Sequence, residues 1–104
     1  MDFGLPKGRR ERIIEVLVRF SSIKEVIVFG SRALGTSKLG SDLDFAIIGD
    51  NITYTDLLRL QRALDELPYG YSYDILDYNK IELPALKMHI DNFGVSFYKK
   101  QAPK

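Results

Sequence analysis

Apolar residues recur along this chain first at helical spacing and then at strand spacing. Over about residues 7–20, Ile13, Ile14, Leu17 and Val18 fall on one side at i, i+1, i+4 and i+5, while Arg10, Glu11, Arg12 and Glu15 supply polar faces. Ser21-Ser22 stops this helix. Residues 26–29, Val-Ile-Val-Phe, are apolar and largely β-branched, the pattern of a short buried strand. That run breaks at Gly30-Ser31-Arg32, where a short helix is expected before the chain turns back. Residues 41–48 then alternate, with Leu43, Phe45 and Ile47 pointing one way and Asp42, Asp44 and Ala46 the other.

Gly49-Asp50-Asn51 is a turn signal. Thr53 or Thr55 caps a helix reaching about Glu66, with Leu57, Leu60, Leu64 and Leu67 on its apolar face, and Pro68 and Gly70 end it. A third strand is expected over residues 71–78, then a helix over about 81–92 with Pro84 near its first turn. Gly94 closes that helix, and residues 95–98 form a last short strand. The order α-β-(short α)-β-α-β-α-β gives an α+β fold, an α/β sandwich: a small mixed sheet with helices packed mainly on one face. Strand directions do not follow from the pattern.

A chain of 104 residues fits one domain, residues 1–104, with one modest core. Lacking cysteine, it has no disulfide framework, thiolate nucleophile or Cys-type zinc site. The formal net charge of +1 does not favour long nucleic acid as a partner. Basic residues gather at both ends (Lys7, Arg9, Arg10, Arg12; Lys99, Lys100, Lys104), a pattern of solvated faces or tails more than of a phosphate patch. The charged start MDFGLPKGRRER has no apolar h-region, and no run of 18 apolar residues occurs, so a soluble, cytoplasmic protein without a membrane partner is expected.

The informative stretch is GSRALGTSKLGSDLD, residues 30–44. A strand breaking at Gly30-Ser31 into a short helix presents free backbone N–H groups with the helix dipole behind them, which suits a phosphate. Glycine permits close approach and the Ser31 hydroxyl adds a donor. Alone, a Gly-Ser after a strand is an ordinary turn. The stretch lacks the Gly-Lys-Ser/Thr ending of a Walker A loop.

Asp42 and Asp44 project from one strand face, with Cβ atoms roughly 6 to 7 Å apart from the strand rise. Their mutual repulsion is relieved by a hard divalent cation such as Mg²⁺, which takes one or two carboxylates with phosphates and waters. An isolated Asp-x-Asp also fits a solvent-facing strand side. Here, however, the Gly-Ser turn ends one strand and the aspartates sit on the next, so a hairpin-like return unites them. Asp74 or Asp77, an odd number apart and therefore on opposite faces, adds a third carboxylate; Asp74 is favoured because it interrupts the apolar run. Three carboxylates can hold two metal ions, and one can take the proton of an attacking hydroxyl.

At these residues the sequence resembles the polymerase-beta-like nucleotidyltransferase superfamily, and more narrowly its minimal, MNT-type members. The family pattern is Gly-Ser, about ten residues, then Asp-x-Asp; Gly30-Ser31, ten residues and Asp42-Leu43-Asp44 satisfy it. Phe29, Arg32-Ala33-x-Gly35 and Ser41 also look familiar, and the likeness extends to Leu86-x-x-His89-Ile90. The resemblance implies that Gly30 and Ser31 hold the β- and γ-phosphates; Arg32 beside them either grips a phosphate or makes a structural ion pair with the aspartates. It implies that Asp42, Asp44 and Asp74 hold two Mg²⁺ ions, Asp74 also serving as base.

The implied reaction moves a nucleoside monophosphate, AMP from ATP, to a hydroxyl and releases pyrophosphate. Minimal members lack the helical extension that completes an acceptor site, so the acceptor is expected from a second protein. In this family the usual companion is a helical HEPN toxin with the MNT protein as antitoxin, and some such antitoxins modify a tyrosine of the HEPN protein, which is the modification the resemblance implies here. A non-catalytic module that neutralises its partner by binding is the alternative; an RNA-modifying enzyme is disfavoured by the near-neutral charge. His89 reads as a helix-surface residue, Lys38 as solvated loop, and Tyr69, Tyr71, Tyr73 and Tyr78 as strand packing or an aromatic contact surface.

Overall fold

The computed structural model describes residues 3–30 and 42–101. The first helix, α1, spans Arg9–Val18, shorter than the apolar pattern predicts because Gly8 at its N-cap is left-handed, with φ 88°. It buries Ile13, Val16 and Leu17, while Val18 is 56% exposed. The sequence pattern had Val18 inward instead. Five helical steps carry it about 140° past Ile13, whereas Val16 lies about 60° away, on the buried side.

Strand β1, Ile23–Phe29, begins earlier than its β-branched run because Ile23 and Glu25 already pair with Gly49 and Ile48. Strand β2 is Leu43–Gly49. Helix α2, Tyr54–Asp65, starts at Thr53 with a reciprocal capping box: Asp56 N–H donates to Thr53 Oγ1, and Thr53 N–H donates to Asp56 Oδ2, both at 3.0 Å. Of its expected apolar face, Leu60 and Leu64 are buried, with Leu57 and Leu67 packed at the rim.

Strand β3, Tyr73–Asp77, is shorter than expected because Tyr78 opens a 3₁₀ turn over Tyr78–Lys80. Helix α3, Pro84–Phe93, begins at its proline. Residues 81–83 stay outside it, since the residue before proline is driven to extended backbone; Leu83 has ψ 111°. Gly94 caps it, its N–H donating to Ile90 O, and β4 follows at Val95–Lys99.

The strand order is β3-β2-β1-β4, with β1 antiparallel to both β2 and β4, and β2 parallel to β3. The mixed sheet of the α+β fold is thus present, and it has two unequal sides. Against α1 and α2 lies the larger core, including Phe45, Phe97, Leu43, Val26 and Val28. Against α3 lies a smaller cluster of Phe29, Ala46 and Ile90, with Ile27 and Leu76 beside it. The short helix expected after Gly30 falls outside the described residues. No helix among the described residues is long and apolar enough to cross a membrane.

Arg9 and Arg10, expected as solvated charges, are packed. The Arg9 guanidinium lies 4.7 Å from the Tyr69 ring centre and donates to the Tyr71 hydroxyl at 2.7 Å. Arg10 covers Phe3 and Phe97. Their aliphatic stems and flat heads roof the aromatic edge of the core, a role that charge counting alone does not reveal. Tyr71 and Tyr73 are buried beside Phe45, so these two tyrosines serve the core.

Candidate active site

The antiparallel return from β1 to β2 sets Phe29 opposite Asp44, so the end of one strand meets the start of the next. The parallel pairing of β2 with β3 sets Asp44 directly beside Asp74. These two strand starts and the end of β1 share one pole of the sheet. Asp44 and Asp74 are registered neighbours and share a face, since neighbouring strands pleat in step. It is the α3 face, for Ala46 and Leu76, two residues on, pack into the α3 cluster.

Asp77, three residues beyond Asp74, turns to the other side. It is 9% exposed, accepts from Asn79 N–H at 3.1 Å and has Lys80 Nζ 3.8 Å away. Its work is to cap the 3₁₀ turn. The odd spacing of the two aspartates therefore separates a structural carboxylate from one on the Asp44 face.

Gly30 follows β1 directly and has φ 78°. A side-chain carbon placed there would run into Asp44 Oδ2. Two constraints thus demand glycine at this position: left-handed backbone and the close approach of a carboxylate. Sequence reasoning assigned the glycine to phosphate access alone. Its contact with Asp44 joins residues fourteen apart in sequence, and no local pattern announces it.

Asp42 lies just ahead of β2 rather than on it, and is exposed. The expected geometry of two aspartates alternating along one strand therefore holds only for Asp44. Ser31, Arg32 and Lys38 lie outside the described residues.

Burial raises the Asp44 pKa above the usual carboxylate value, and the negative charges of Asp74 and then Asp42 raise it further. Asp44 therefore senses both of the other carboxylates. They do not close on a point, for among the described residues no three His, Cys, Asp or Glu side chains stand close enough to enclose an ion. The two observations are compatible because Coulomb repulsion reaches farther than coordination distance. Hard carboxylate oxygens under mutual repulsion fit Mg²⁺, which takes only one or two from a protein and fills its octahedron with phosphate and water.

His89 is half-buried on α3, its ring centre 5.3 Å from that of Phe93, as expected of a packed helix residue. Tyr78 donates its hydroxyl proton to Asp91, and this bond holds its pKa above the ordinary tyrosine value.

Residues 11–102 match the family model described as polymerase beta, nucleotidyltransferase. Among solved structures, one chain of a toxin–antitoxin structure with AMP-PNP is similar at a TM-score of 0.73 and 20% identity, over 88% of this chain and 74% of that one. A minimal nucleotidyltransferase is similar at 0.68 and 29% identity, over 91% and 95% of the two chains. The tri-AMPylated HEPN toxin of Shewanella oneidensis in complex with its MNT antitoxin contains a chain similar at 0.56 and 21% identity, over 88% and 70%. No curated protein matches the chain.

Proposed function

Since the chain belongs to the polymerase beta nucleotidyltransferase family, we propose that it transfers AMP from ATP to a hydroxyl of a partner protein, with Mg²⁺ as cofactor. The partner is a helical HEPN toxin, the acceptor a tyrosine, and the chain acts in the cytoplasm as a single-domain antitoxin. The observation that carries this reading is the meeting of Gly30, Asp44 and Asp74 at one pole of the sheet. There a left-handed glycine adjoins a carboxylate whose proton affinity is raised by burial and then by its acidic neighbours. The MNT–HEPN complex and the AMP-PNP structure among the similar folds support the partner and the nucleotide.

In this reading the Gly30-Ser31 backbone and the Ser31 hydroxyl bind the β- and γ-phosphates, and Arg32 pairs with their charge. Asp42, Asp44 and Asp74 hold the Mg²⁺ ions, which supply neutralisation of the triphosphate and of the attacking oxygen. Asp74, exposed at the start of β3, takes the proton of the acceptor hydroxyl. The hydroxyl oxygen bonds to the α-phosphorus as the bond to the bridging oxygen breaks, and pyrophosphate leaves with that oxygen. Positioning and electrostatic stabilisation account for most of the rate.

The test is transfer of label from ATP, with Mg²⁺, to a co-purified HEPN protein. The expected result is labelling by wild type and a loss of about 1,000-fold or more when Asp42→Asn and Asp44→Asn are combined, in the range seen for removal of electrostatic stabilisers. Equal labelling by the double variant overturns the assignment. Toxin neutralisation by that variant without labelling would leave binding alone as the antitoxin action.

A further inference from the structure

The sheet has two edges, and they differ. The β4 edge ends in Lys99 and Lys100, charges of the kind that discourage strand pairing. The β3 edge, Tyr73–Asp77, carries carboxylates in place of lysines, Asp74 exposed and Asp77 buried, with Lys80 just past its end.

Leu43 N–H donates to Ser72 O, which fixes the hydrogen-bond parity of the parallel ladder. Residues 72, 74 and 76 face β2; residues 73, 75 and 77 direct their backbone groups outward. Gln61 Nε2 already donates to Tyr73 O at 3.0 Å. Beyond it, the outward N–H and C=O of Ile75 meet no backbone partner among the described residues.

A groove of about 340 Å³ opens at this point. Its floor is apolar, with Ile75, Leu76, Leu57 of α2 and Leu86 of α3; Leu83, 67% exposed, stands at its rim, and Lys80 and Glu82 add charge to the wall beside Asp77. It begins at the residue following Asp74.

We infer that the β3 edge and this groove receive an extended segment of the acceptor protein as a fifth strand, its hydroxyl-bearing residue facing Asp74. This rests on the transferase reading, which requires a hydroxyl to reach Asp74 from outside the chain. Strand addition provides that reach: an added strand lies about 4.8 Å from β3, so every second side chain falls on the carboxylate face. Backbone pairing to Ile75 supplies the hold, and the groove takes an apolar side chain. The acidic Asp42, Asp44 and Asp74 select a neutral or basic segment.

The probes are short synthetic peptides alternating valine and lysine around a central tyrosine, with a proline-interrupted version as control. Ile75→Pro removes the outward N–H and leaves the β2 ladder intact, the place where an edge strand tolerates proline. Leu83→Asn makes the groove rim polar without adding charge, at the N-cap of α3, where Asn stabilises the helix start.

In wild type the alternating peptide should slow hydrogen exchange of the Ile75 amide, and the control peptide should not. Each variant should weaken peptide binding by about tenfold while Mg·AMP-PNP affinity stays unchanged. No protection of Ile75, or equal peptide affinity in all three proteins, overturns the inference. Labelled ATP separates the two claims. Protection without AMP transfer to the peptide sinks the transferase reading and leaves the docking edge; transfer without protection does the reverse.

Discussion

The two faces of the sheet are covered to different depths. On one, α1 and α2 bury Ile13, Leu17, Leu60 and Leu64 against Phe45 and Phe97, all nearly inaccessible. On the other, among the described residues, α3 buries Phe29 and Ala46 through Ile90 and covers Ile27 and Leu76 in part, and Asp44 and Asp74 remain within reach of solvent. The first face makes the fold; the second is left free to hold charge. A small domain tolerates repelling carboxylates on one side because the other side supplies the burial that stabilises it, roughly 1.5–3 kcal/mol for each fully buried leucine or phenylalanine.

Leu60→Ala tests that division most severely. It should lower stability by about 2–5 kcal/mol in denaturant unfolding while Mg·nucleotide affinity of the folded fraction stays constant. A loss of affinity without a loss of stability would erase the distinction between the faces. Gly30→Ala probes the seam between them. A non-glycine residue at φ 78° costs about 1–2 kcal/mol, and the new methyl must displace the Asp44 carboxylate. Both stability and Mg²⁺ affinity should therefore fall together, and a fall in stability alone would mean that the carboxylate position does not matter.

Thr53→Ala removes the side-chain cap of α2 and should cost about 1 kcal/mol, with no effect on nucleotide binding. The smallest effect is a pH dependence. Asp44 binds its proton more tightly in the fold than in the unfolded chain, so its ionised form opposes folding. The Asp44 contribution to the stability of the metal-free protein, read as the difference between wild type and Asp44→Asn, should rise as pH falls from neutral through the raised Asp44 pKa, down to the ordinary value of 3.8. Asp44→Asn should raise Tm slightly at neutral pH. A variant less stable than wild type would contradict the repulsion account.

How far the sequence reveals each face follows the same divide. Helix α2 was legible almost to the residue, because a capping box and leucines at helical spacing are local signals. So was the placing of Asp74 and Asp77 on opposite faces, which needs only the two-residue period of a strand. What escaped depends on contacts distant in sequence. The pairing of β1 from Ile23 onward needed β2 and β4, and the inward turn of Val16 needed the actual direction of the core. The seating of Gly30 against Asp44 needed the register of two strands. The placing of Asp42 on β2 failed because alternation of residue types does not show where the ladder begins.

The central claim is that Asp44, set between Gly30 and Asp74, needs a divalent cation beside a bound triphosphate. Calorimetric titration of AMP-PNP into wild type and Asp44→Asn, each with and without Mg²⁺, tests it most directly. Binding should occur only to wild type and only with Mg²⁺, and the folded Asn variant should give no heat. Equal binding by both proteins, or binding that ignores Mg²⁺, would contradict it.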